Sequence, residues 1–146
     1  MDDYKRAYED VNLDVIKNNV DIIMKRTKPG TKALIVVKAD AYGHGDVPVA
    51  RALESRADYF AVATGPEAIN LRENGITKPI LILGFVAYEE YEDLINNDVD
   101  LVIFDKESAD ALSEAAKKIG KTAKCHVKVD TGMRRIGVEP VKESVE

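Results

Sequence analysis

The chain has no tryptophan, a single cysteine (Cys125) and two histidines among its 146 residues. One cysteine excludes an internal disulfide, and a reducing, cytoplasmic setting is the expectation. Two histidines and one thiol are too few for an obvious structural zinc site. No apolar run approaches the roughly 20 residues of a helical membrane span. The opening MDDYKRAYED lacks the apolar stretch of a secretory signal. Basic residues are the minority charge, with 21 Lys and Arg against 26 Asp and Glu, a formal −5. That balance argues against nucleic acid and against an anionic membrane as partners. Low-complexity tracts, Pro/Gly-rich linkers and blocks of like charge are missing too. A soluble chain remains, the size of one domain or of part of a larger one.

What is present is an alternation of two kinds of segment. Short runs at Ala33–Val37, Tyr59–Ala63, Pro79–Leu83, Leu101–Phe104 and Lys124–Val129 are mostly β-branched or aromatic and read as strands. Between them apolar residues recur at helical spacing. Leu13, Ile16, Val20 and Ile23 form the first stripe, after Asp10 or Asn12 as cap and before Pro29-Gly30 as stop. Ala109, Leu112, Ala116 and Ile119 form another over 106–119, with Asp105 to cap its start and Gly120 its end. Asp46–Ser55, Pro66–Asn74 and Tyr88–Asn96 are shorter helices by the same signs, and a last one starts near Pro140.

The strand starts lie 20 to 26 residues apart, which suits one βα unit each and a parallel sheet. Five parallel strands fit two architectures. A doubly wound open sheet is complete at five, whereas a (β/α)8 TIM barrel is interrupted after its fifth strand. The fifth run favours the barrel. Cys125, Val127 and Val129 alternate there with His126, Lys128 and Asp130, so one face carries three polar groups in a row. A barrel interior opening toward a site accommodates them, while an open sheet would need a solvated edge strand. The expected fold is α/β, the N-terminal portion of a (β/α)8 barrel with about five βα units. Residues 1–146 would form one incomplete domain whose later strands are absent.

Two segments carry chemistry. In Leu34–Gly45, LIVVKADAYGHG, an apolar run delivers Lys38 to the C-terminal end of a buried strand, where parallel α/β folds place their reactive groups. A low-dielectric position disfavours the charged form of a lysine and makes its amine a nucleophile for carbonyl carbon. Gly43 and Gly45 permit a tight backbone, and Tyr42 and His44 add a phenol and an imidazole. The plainer alternative is that Lys38 snorkels out of the strand end and the glycines only turn the chain. In His126–Gly137, HVKVDTGMRRIG, Lys128 sits on the polar face, and Arg134 and Arg135 follow in a loop where a guanidinium can clamp a carboxylate or phenolic oxygen. Here the alternative is a buried pair of Lys128 with Asp130 or another carboxylate, which merely satisfies the interior polar groups of the strand. His126 reads as a satisfied interior histidine and Cys125 as core packing toward the helices.

At these residues a resemblance appears. VVKADAYGHG is similar to the pyridoxal-phosphate attachment signature of bacterial alanine racemases, and HVKVDTGMRRIG to their fifth-strand motif. RAYEDVNLDVIKNNV and EAINLRENGITKPILILG also resemble that family, with Tyr8 where a Trp is common. The resemblance spans essentially the whole chain and well under half of a complete family member. It implies a fold type III enzyme with pyridoxal 5'-phosphate as cofactor. Such an enzyme interconverts L- and D-alanine for peptidoglycan synthesis in the cytoplasm, as a homodimer. It implies that Lys38 binds the cofactor aldehyde and serves as base on the D-alanine side, and that Tyr42 hydrogen-bonds the phosphate. Arg135 would contact the phenolic oxygen and the substrate carboxylate, carbamylated Lys128 would orient Arg135, and Leu83 would lie near the ring. Arg134 receives no role. The second base would be a tyrosine of the partner subunit's C-terminal domain, so the isolated chain is expected to be inactive and prone to self-association.

Other readings stay open on the sequence alone. One is a racemase of serine, lysine or a broader range, and another a non-catalytic pyridoxal-phosphate-binding barrel. A doubly wound signalling domain without cofactor is a third, although only Asp40 follows the first strand where a phospho-acceptor pocket needs several carboxylates. Metal chemistry through Asp40, His44 and His126 has no supporting ligand spacing.

Overall fold

The computed structural model describes residues 8–141. Its elements are α1 (Leu13–Lys25), β1 (Leu34–Val36), a one-turn segment α2 (Lys38–Tyr42), α3 (Asp46–Leu53), β2 (Tyr59–Val62) and α4 (Gly65–Glu73). Then come β3 (Ile80–Ile82), a 3-10 turn (Tyr88–Glu90), α5 (Tyr91–Asn96), β4 (Val99–Ile103), α6 (Lys106–Ile119) and β5 (Cys125–Val127). The helix expected from Pro140 lies largely outside the described residues. All four strand pairings are parallel, and the strand order is β1-β2-β3-β4-β5. A doubly wound sheet reverses direction at a switch point. This one never does, so the order is that of successive strands in a barrel wall.

Local chemistry sets the boundaries. Asn12 caps α1 by accepting from the Asp14 and Val15 amides at 3.1 Å each. Thr64 and Glu67 form a reciprocal capping box on α4, and Asp105 and Ser108 form another on α6. Gly120 closes α6 at φ 66°, a left-handed position that costs glycine little. The stripe of α1 departs from expectation. Leu13, Ile16 and Val20 lean on the core, but Ile23 is 61% exposed. The helix buries no residue completely, and beyond its middle it is tied down by the two-point Asp21–Arg56 pair instead.

Alternation along the strands separates two sheet faces. The outer face carries Phe60, Val62, Ile80, Ile82, Val99 and Leu101, all buried under α3–α6 with Val49, Leu53, Leu71, Leu94 and Leu112. Each such side chain contributes about 1.5–3 kcal/mol by leaving water. The inner face runs through Leu34 and Val36 on β1, Tyr59 and Ala61 on β2, Leu81 on β3, Asp100 and Val102 on β4 and His126 on β5. The edges are less covered than the centre. Leu34 and Val36 are 43% and 42% exposed, and Val127 is 64% exposed. Cys125 is exposed as well, contrary to the expectation of core packing. It does stand on the helix side, but no described element covers the outer face of β5. No helix among the described residues is long and apolar enough to cross a membrane.

Candidate active site

At the C-terminal ends of the strands the inner face opens into a cavity of about 350 Å³ lined by Lys38, Ala63, Leu83, Gly84, Phe85, Arg135 and Ile136. Lys38 comes from the end of β1, Ala63 from the end of β2, Leu83–Phe85 from the end of β3, and Arg135 from the loop after β5. The structure thus brings together three of the expected residues, Lys38, Leu83 and Arg135. Tyr42 and Lys128 do not line this cavity; Tyr42 is 69% exposed and Lys128 is half-buried.

Lys38 enters a backbone turn of unusual hand. Ala39, Asp40, Ala41 and Tyr42 all have φ between 50° and 56°. Left-handed helical backbone costs L-residues roughly 1–2 kcal/mol each. The sequence places glycine only afterwards, at Gly43 and Gly45, so the strained stretch is not the glycine-rich one. Hydrogen bonds hold it. Ala41 N–H donates to Val37 O at 2.9 Å, and the Gly43 and Gly45 amides donate to Asp40 O at 3.0 and 2.9 Å. The Asp40 carboxylate accepts from the Asp46 amide at 2.9 Å, and His44 Nδ1 donates to Ala41 O at 3.0 Å. Both side chains, weighed on the sequence as site groups, are therefore engaged with backbone.

The second lining segment is fixed from β5. Asp130 Oδ1 accepts from the Gly132 amide at 2.8 Å and the Arg134 amide at 3.0 Å. Those backbone donors, Arg134 first, hold its carboxyl below the usual range. Asp130 thus turns to its own loop rather than serving as the buried partner of Lys128. Asp130 N–H also donates to Val138 O, and Val138 N–H to Lys128 O, both at 2.9 Å. This bridge closes the loop carrying Arg135 against the strand end.

One residue that sequence reasoning missed is Glu67. Its Oε2 accepts from Ala63 N–H at 2.7 Å and Thr64 N–H at 3.3 Å, while Oε1 accepts from Ala39 N–H at 2.9 Å. The signal was legible as T-x-x-E at Thr64–Glu67, which marks a capping box but says nothing of Ala39.

The opposite end of the inner face is polar in a different way. Tyr59 O–H donates to Asp100 Oδ2 at 2.9 Å, and His126 Nε2 lies 3.4 Å from the same oxygen. The Tyr59 and His126 rings meet edge-on at 5.8 Å. Asp100 is 2% exposed, and its bond to Tyr59 pushes that phenol up. Its Oδ1 has no hydrogen-bond partner among the described residues. His126 stands on the inner face as expected, but its side chain is 43% exposed rather than interior.

The chain matches the family described as alanine racemase, N-terminal domain, over residues 11–146. It is 46% identical over 140 residues to an alanine racemase of Methanococcus maripaludis, covering 95% of this chain and 38% of that protein. The solved alanine racemase of Clostridium difficile, in complex with cycloserine, superimposes with a TM-score of 0.85 at 46% identity, over 92% of this chain and 36% of that one. That of Streptomyces coelicolor does so at 0.82 and 31% identity, over 89% and 35%. This chain therefore spans little more than a third of the length of these relatives. The matched span, the identities and the strand order agree, and the chain belongs to the alanine racemase family.

Proposed function

We propose that this chain supplies the lysine-bearing part of a pyridoxal-phosphate-dependent alanine racemase site. One observation carries the reading: Lys38 from one sheet edge and Arg135 from the loop after the other line a single cavity with Leu83. The donor set suits the cofactor. Lys38 offers an amine for an aldehyde, and Ala63, Leu83 and Phe85 offer apolar walls for a flat ring. Arg135 offers a guanidinium for a phenolic oxygen or a carboxylate. When bound, the cofactor supplies a conjugated ring that stabilises the carbanion left by loss of an α-proton. Lys38 Nζ takes or returns that proton on one face of the amino acid.

Racemisation also needs an acid–base group on the other face. The lining holds two ionisable side chains, Lys38 and Arg135, and a guanidinium does not give up its proton. The second group is therefore placed outside this chain, where the family resemblance puts a tyrosine of the partner subunit. Tyr42 as phosphate ligand, Lys128 as a carbamylated orienter of Arg135, the homodimer and the supply of D-alanine for peptidoglycan belong to the same proposal. A mere cofactor carrier is disfavoured, because it has no use for the carboxylate clamp that Arg135 offers.

The test is chemical. Pyridoxal phosphate is added to the purified chain, the product reduced with borohydride, and the adduct mapped by peptide mass spectrometry. Label concentrated on Lys38, and lost in Lys38→Ala, is the expected result. Label spread evenly over the surface lysines defeats the reading. Racemisation of L- or D-alanine by the chain alone is expected to be negligible, and activity ratios for alanine, serine and lysine in a full-length protein fix the substrate.

A further inference from the structure

We infer that Glu67 is a positioning residue for Lys38, a carboxylate that holds the left-handed turn after the lysine in register with the end of β2; this role rests on the reading of Lys38 given above. The plain account of Glu67 is a helix cap. A capping box needs one acceptor oxygen, turned back on the Thr64 amide. Here that contact is the longest of the three, at 3.3 Å, against 2.7 Å to Ala63 N–H and 2.9 Å to Ala39 N–H. The two carboxylate oxygens are divided between two strand ends, Oε2 serving β2 and Oε1 serving the chain after β1. Ala39 is the first of the four consecutive residues with positive φ. Its amide is thus gripped where the backbone leaves Lys38 and changes hand. Ala63, whose amide shares the carboxylate, lines the same cavity as Lys38. Glu67 itself is absent from that lining and acts through Lys38, not on a substrate.

The chemistry of the side chain gives a discriminating variant. Glutamine has one acceptor oxygen and one NH2 donor, so Glu67→Gln can satisfy the β2 amides or the Ala39 amide, never both. It still caps α4. Thr64→Ala does the reverse, removing the hydroxyl that accepts from Glu67 N–H while leaving the carboxylate contacts alone.

The experiment reads two quantities on the purified chain: the rate of borohydride-trapped pyridoxal phosphate labelling at Lys38, and amide hydrogen exchange over Ala39–Gly43 by NMR. Glu67→Gln is expected to slow Lys38 labelling about tenfold, the loss of a charge-assisted hydrogen bond, and to speed exchange at Ala39 by a similar factor. Thr64→Ala is expected to leave both close to wild type. Adding Ala39→Gly to Glu67→Gln removes the steric cost of positive φ and should restore much of the labelling. Unchanged exchange at Ala39 in Glu67→Gln, or equal slowing by Thr64→Ala, overturns the inference. An unprotected Ala39 amide in the wild-type chain overturns it as well, even where the variant does not fold. A wild-type chain with a protected turn but no preferential label on Lys38 overturns the reading of Lys38, and with it this role for Glu67.

Discussion

The two ends of the inner sheet face are both polar, yet their polar groups are used differently. At the N-terminal end Tyr59, Asp100 and His126 turn on one another. Just below, the Arg72 guanidinium donates to four backbone carbonyls, those of Ile76, Lys78, Asn97 and Asp98, at 2.7–3.0 Å. At the C-terminal end Lys38 and Arg135 face a cavity, and the side chains spent on hydrogen bonds there (Asp40, His44, Glu67, Asp130) hold backbone in place. One end therefore stabilises the sheet, and the other leaves two basic groups available over a strained frame. Substitutions at the first should lower stability with little effect on Lys38 chemistry; those at the second should do the opposite.

The largest stability effect is expected at Arg72. Burial already lowers the pKa of its guanidinium, and the four carbonyls it serves join the loops before β3 and β4. Arg72→Ala should cost about 3 kcal/mol in urea unfolding, since acceptors left dry are expensive. Arg72→Lys should recover less than half, because an ammonium cannot reproduce the fork. A loss below about 1 kcal/mol would remove the base of the sheet from the stabilising end.

Tyr59→Phe comes next. It leaves the carboxyl of buried Asp100 with His126 Nε2, at 3.4 Å, as its one remaining ion-pair contact within 4 Å among the described residues. A cost of about 2 kcal/mol follows from stripping the hydrogen bond from a buried carboxyl group. Lys38 labelling by pyridoxal phosphate should survive intact. A labelling defect as large as the stability defect would show that the two ends are coupled, and the comparison would fail.

The layout of strands and helices was readable because it depends on local, repetitive signals. The runs around Leu34–Val36, Tyr59–Val62 and Ile80–Ile82 and the stripe of Leu112 and Ala116 each declare themselves by period and by cap. Sequential parallel pairing then followed from strand spacing. Three things were not readable. The left-handed turn of Ala39–Tyr42 contains no glycine, and the bonds that hold it come partly from Glu67, 28 residues away. The exposure of Cys125 depends on what lies over β5, which its own alternation cannot report. The Tyr59–Asp100 bond joins strands that are not neighbours in the sheet, so no pairwise register predicts it. Lys38 and Arg135 were named from motifs, but their sharing of one cavity is a property of the curved sheet.

At the open end, Gly137 is the point where the Arg135 loop touches the chain just after β5. Its φ is 140°, and a Cβ there would stand 2.6 Å from Asp130 N and 2.9 Å from Val129 C. Backbone cannot yield as a side-chain tip can. Gly137→Ala should strain and overpack the loop locally, without a matching loss of global stability. Its clearer readout is amide exchange at Asp130 and Val138, whose bonds close the loop. Unaltered protection at both would mean that a Cβ at this position is accommodated without opening the bridge.

The smallest effect is a titration, and its sign is fixed by Asp130. Backbone donors at Arg134 and Gly132 lower this carboxyl's pKa below its ordinary 3.8. A depressed folded value means that the ionised form supports the loop at every pH above the unfolded value. That support is lost as pH falls through the lower, folded one. Because the carboxylate is open to solvent, global unfolding should barely register the loss; the loop itself should. The Gly132 and Arg134 amide resonances should move together on acidification with a midpoint below 3.8, and Asp130→Asn should flatten that response. A midpoint at or above the ordinary carboxylate value would mean that Asp130 does not brace the Arg135 loop in solution. The open end would then lack one of the frame contacts that distinguish it.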